Sequence, residues 1–112
     1  MRCEIENRGE ISIVRLEGEM RGESDDHEWT KDVIALIDGG TPRIIIDLAG
    51  VLYVSSAGLG QLVRVTALAN SQGAKLTLAE LSPFVAGVLV TTGLGRFFDV
   101  APTVDAAIAR AS

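Results

Sequence analysis

The 112 residues, 47% of them hydrophobic and 22% charged, are enough for one domain with one continuous core, and they exclude a disordered chain. Only 4% are aromatic, so that core has to be aliphatic. A formal net charge of -5 without any cluster of Lys or Arg excludes the basic footprint needed for nonspecific nucleic-acid binding and leaves proteins as the expected partners.

Residues 2–7 alternate Cys3 and Ile5 with polar and charged side chains, Arg8-Gly9-Glu10 supplies a turn, and residues 11–17 alternate again, which predicts a hairpin. Residues 18–26 read as a polar loop. Ser24 or Asp25 then caps a helix with Trp29, Val33, Leu36 and Ile37 on one face, stopped by Gly39-Gly40 and Pro42. Ile44, Ile45 and Ile46 are β-branched and apolar without alternation, as in a strand covered on both faces, with Asp47 and Gly50 marking its end. Ser55 and Ser56 precede a helix whose one face holds Leu59, Leu62, Val63, Thr66 and Ala69, so one of these serines is its cap. A strand over 75–78 follows. Ser82-Pro83 opens a third helix with Phe84, Val88 and Leu89 inward, closed by Gly93. Residues 96–100 make a short edge strand, and Pro102-Thr103 opens a last helix through Val104, Ala107 and Ile108, packed on the end of the sheet.

Strand, helix, strand in this order predicts right-handed crossovers. The expected architecture is α/β: a mixed, mostly parallel sheet of four or five strands with an antiparallel first strand, and about four helices. Periodicity does not decide whether the helices lie on one face or two.

Ile46-Asp47-Leu48 followed by Tyr53-Val54-Ser55-Ser56-Ala57-Gly58-Leu59-Gly60 resembles the core of the STAS family, the fold of bacterial anti-sigma factor antagonists. The likeness covers nearly the whole chain, taken as a single domain over residues 1–112. It implies helices largely on one face of the sheet. Aligned on Gly58-Leu59-Gly60, the serine that a partner kinase phosphorylates in the antagonists falls on Ser56, with Ser55 the second choice. Ser55 stands where an Asp is common and Ala57 where a second hydroxyl is common. The family reading implies a non-enzymatic cytoplasmic switch. Unphosphorylated, it binds an anti-sigma factor that is itself a serine kinase and frees the sigma factor; a metal-dependent serine phosphatase reverses the modification. ATP and magnesium belong to those partners, so no cofactor is expected here.

The partner surface expected on this basis comprises Ser55, Ser56, Ala57, Gly58, Gly60 and Arg64, with Glu23 and Asp25 of the loop after the second strand as a further contact. Spacing alone favours a plain cap, with glycines that merely allow tight helix-to-sheet packing; it is the resemblance that turns the reading toward a phosphorylated contact surface. The other reading of the resemblance is a constitutive STAS subunit of a lipid-transport ATPase or larger signalling assembly, without a phosphate cycle. A weak homodimer through the exposed helix surface is a further expectation.

Other chemistries find less support. Gly58-Leu-Gly60 and Gly93-Leu-Gly95 each lack the third glycine of a dinucleotide loop. Ser56 with His27 and Asp25, Asp26 or Asp47 would need a nucleophile elbow that is absent. Glu23, Asp25, Asp26 and Glu28 read as a solvated acidic loop. The single cysteine, Cys3, allows no internal disulfide, and no Cys or His spacing suits zinc. No secretion signal is recognisable and no apolar run approaches the ~18 residues that span a bilayer, hence the cytoplasmic expectation.

Overall fold

The computed structural model describes residues 1–22 and 27–111, with side chains over 1–22 and 28–110. Among these the chain builds β1 (Arg2–Arg8), β2 (Ile11–Met20), α1 (His27–Asp38), β3 (Arg43–Val54), α2 (Ser56–Ser71), β4 (Lys75–Ala79) and α3 (Pro83–Thr92). A 3-10 turn at Leu94–Arg96, β5 (Asp99–Ala101) and α4 (Val104–Ala111) complete it. The five strands are ordered β1-β2-β3-β4-β5, β1 antiparallel to β2 and the rest parallel. This is the mixed α/β architecture expected.

The period-two alternation of strands explains where the helices go. Ile44, Ile46 and Leu48 join Val14 and Leu16 on one face, where Trp29 of α1, Leu62 of α2 and Leu89 of α3 pack over them in the main core. Ile13, Ile45, Ala79 and Ala101 point the other way and meet Ala107 of α4. The unbroken isoleucine run is therefore buried on both faces. Three helices share one face; α4 covers the opposite face rather than the end of the sheet.

The hairpin and the central strand are longer than the sequence suggests. β3 does not end at Asp47–Gly50 but runs to Val54, and β2 runs to Met20, because two register shifts keep the pair in contact as far as Met20 and Val54. Gly50 sits at this bulge, where a Cβ would lie 3.0 Å from the Leu16 carbonyl oxygen. The Asp47 carboxylate accepts the Ala49 N–H at 2.9 Å, a local turn-like bond made within a continuing strand. β5 is shorter and later than expected, its preceding residues being taken by the 3-10 turn.

The helix caps follow the residue types. Ser82 Oγ accepts the Val85 N–H at 3.3 Å and donates to the Val51 carbonyl at 3.1 Å, while Gly93 closes α3 at φ 73°. Phe84 is not inward as expected but 48% exposed; the buried pair on α3 is Val85 and Leu89. A helix this uniformly apolar has no periodicity to reveal its inner side. The predicted cap at Ser24 or Asp25 lies outside the described residues.

Candidate functional site

The ends of β2 and β3 deliver the chain to the N-terminus of α2, and Ser55 is the fastener. Its backbone N–H donates to the Met20 carbonyl at 2.9 Å and its hydroxyl to the Arg21 carbonyl at 2.8 Å. The same oxygen accepts the Gly58 N–H at 3.1 Å, which makes Ser55 the N-cap and satisfies one of the helix's orphan donors. Ser55 is thus occupied by structural bonds. Ser56, one residue on, is the first residue of α2 and exposed.

The two glycines of the first turns do different things. A Cβ on Gly58 would lie 2.1 Å from the Met20 carbonyl oxygen, so Gly58 faces inward and is required by the contact of α2 with β2. A Cβ on Gly60 would meet nothing within 4 Å, and Gly60 is exposed. Gly22 approaches from the other side at φ +74°, where a Cβ would fall 2.6 Å from that of Ala57. Of the expected contact residues, Ser56, Ala57, Gly60 and Arg64 are exposed and on one helix; Ser55 is half-buried and Gly58 is buried. Arg64 stands eight residues from Ser56, about 12 Å along the axis. Glu23 and Asp25 lie outside the described residues, as do Asp26 and the side chain of His27. Asp47 pairs with Arg15 at 3.7 Å on the α4 face of the sheet, away from Ser56.

An aromatic ridge beside the serines escaped sequence reasoning. The Tyr53 and Phe84 rings lie 5.4 Å apart, and the Arg21 guanidinium sits over Tyr53 at 5.3 Å from its centroid. Together with Ser56, Val88 and Thr92 they line a shallow groove. Tyr53 was visible in the motif, but Phe84 comes from another helix. Arg21 also pairs with Glu19.

Acidic side chains are sparse along the stretch that supplies most of this groove, and the groove's Arg21 is paired with Glu19 from β2. Of the chain's fifteen acidic residues, one, Glu80, falls within residues 48–98. It is engaged elsewhere, accepting the Val104 N–H at 2.8 Å.

The profile of the STAS domain matches residues 2–107. The chain belongs to the STAS family. STAS relatives include an anti-sigma F factor antagonist of Paenibacillus polymyxa, 27% identical over 110 residues, covering 94% of this chain and 87% of the relative. A candidate anti-sigma factor antagonist, BtrV, of Bordetella bronchiseptica is 35% identical over 78 residues, 70% of this chain and 67% of the relative. These are names of regulatory proteins rather than enzymes. Among solved structures, a candidate anti-sigma factor antagonist of Thermotoga maritima superposes with a TM-score of 0.87 at 22% identity, covering 96% of this chain and 92% of that one. The unphosphorylated antagonist SpoIIAA gives a TM-score of 0.79 at 23% identity, over 98% and 96%. These structures establish the STAS fold. Among the described residues no helix is long and apolar enough to cross a membrane.

Proposed function

We propose that this single-domain STAS protein is an anti-sigma factor antagonist switched by phosphorylation of Ser56. Unphosphorylated, it sequesters an anti-sigma factor that is also a serine kinase and so frees a sigma factor. Phosphate transfer from that kinase's ATP to the Ser56 hydroxyl releases the complex, and a metal-dependent serine phosphatase restores it. The names of the relatives support the class of partner.

The observation that carries the reading is the division of labour between adjacent serines. Ser55 makes the cap and the strand contacts, leaving the exposed Ser56 hydroxyl available without structural cost. Phosphate there gains about 1.5 to 2 negative charges and three acceptors at a helix N-terminus, where backbone N–H groups favour it. The domain therefore tolerates the modification while the docked partner does not: docking strips water from the dianion and sets a phosphate against a surface fitted to a hydroxyl. Ala57, Gly60 and the Tyr53–Phe84 ridge surround the site as the docking surface, with Arg64 facing an acidic partner group.

The test is intact-mass spectrometry with peptide mapping after incubation with purified anti-sigma factor kinases and ATP. One phosphate on Ser56, absent in Ser56→Ala, is expected. No phosphate with any such kinase, alongside a stable complex recovered from cells, would replace this reading with a constitutive subunit.

A further inference from the structure

Helix α3 has the composition of a buried helix in a surface position. Its ten residues, PFVAGVLVTT, include no charged side chain, although a helix on a domain surface ordinarily carries charge on its outer face and one apolar all round is ordinarily covered. Only Val85 and Leu89 are buried, while Val90 is 80% exposed and Phe84 48%. Helical spacing places Pro83, Phe84, Gly87, Val90 and Thr91 on the outward side. Gly87 adds a second observation: a Cβ there would meet nothing within 4 Å, so nothing inside the domain requires glycine in mid-helix.

We propose that this face is the contact between two copies of the chain, α3 packed on α3 across a two-fold axis. In such an arrangement each patch meets its own copy, so the patch must be complementary to itself. A chain of net charge -5 repels a second copy over most of its surface. The α3 face adds little to that repulsion, since residues 81–98 contain a single charged side chain, Arg96. A charged partner would find no matching group on this helix; an identical uncharged face needs none. Gly87 lets the two backbones approach, and Phe84 and Val90 fill the space on either side.

One helix per copy makes a small interface and a weak dimer. Its position gives it a consequence. Phe84, Val88 and Thr92 also line the groove beside Ser56, so self-association covers one wall of the proposed docking surface and competes with the partner. The dimer itself requires neither phosphate nor kinase, and its test is independent of theirs.

Sedimentation velocity of the full chain from about 10 μM to about 1 mM, at about 0.05 M and about 0.5 M salt, tests the proposal. The weight-average mass is expected to climb from 11.8 kDa toward twice that value. Association tightens at high salt, where repulsion between acidic chains is screened. Val90→Glu, a change at an exposed position, leaves the circular dichroism spectrum unchanged and abolishes the rise; Ile5→Glu on edge strand β1 keeps it. A chain that stays monomeric throughout, a dimer that survives Val90→Glu or is lost in Ile5→Glu, or one that loosens with salt overturns the proposal. Strict monomers would assign the face to a different protein.

Discussion

Gly58 lies against the Met20 carbonyl so closely that a methyl group there would sit 2.1 Å from its oxygen. Backbone cannot move aside as a flexible side chain can. Gly58→Ala is therefore expected to destabilise the domain by about 2 to 4 kcal/mol, the overpacking cost outweighing the ~1 kcal/mol by which alanine favours a helix. Urea denaturation measures this directly, and an unchanged midpoint would show that the contact is looser than described.

Gly60 is the internal control for that experiment. Its Cβ direction is open, so Gly60→Ala should stabilise by about 0.5 to 1 kcal/mol through the unfolded state and helix propensity. If the same variant binds the anti-sigma factor more weakly while folding better, the glycine serves the interface.

The two serines should separate cleanly. Ser55→Ala removes a cap bonded to Gly58 and is expected to cost about 1 kcal/mol of stability. Ser56→Asp leaves the cap in place and puts an acid in the first turn, where it favours the helix by about 0.3 to 1 kcal/mol. The expected result is a melting temperature at or slightly above wild type combined with loss of partner binding by titration calorimetry. A Ser56→Asp variant that binds normally contradicts the switch.

The Cys3 thiol is pushed up from 9.0 to about 11 by burial and, secondarily, by Asp32. The folded state thus holds this proton more tightly than the unfolded chain does. The resulting stabilisation is complete below pH 9 and is lost as pH rises from 9 toward 11. Comparing wild type and Cys3→Ala at pH ~8 and ~10.5 should show the steeper loss in wild type. Equal slopes would mean that the thiol titrates alike in both states. Slow alkylation at neutral pH is the companion expectation.

Much of this architecture was legible because local and tertiary preferences agree. The isoleucine run of β3, the Ser82-Pro83 start and the Gly93 stop each have one physical meaning, and the structure uses them so. The failures fall where long-range pairing overrides local signals. Asp47 and Gly50 look like a strand end, yet β3 absorbs an extra residue at each of two register shifts against β2 and carries the pairing on to Val54. Phe84 was misplaced because α3 is apolar on every side. At the site, the motif identified the serines, but their roles as cap and exposed hydroxyl depend on Met20 and Arg21, some 35 residues earlier and invisible to spacing. The Tyr53–Phe84 contact is likewise tertiary.

Ser55 holds three parts of the chain at once: the Met20 and Arg21 carbonyls at the end of β2, the end of its own strand, and the first turn of α2. Mechanically this is a rivet through a lever. A partner that tugs on the beginning of α2 loads the last residues of β2 through the same atoms, with no soft joint between. The amides of Ser55 and Gly58 should accordingly exchange with deuterium only when the sheet itself opens, and loosening that one hydroxyl would let the helix start rock independently of the strands.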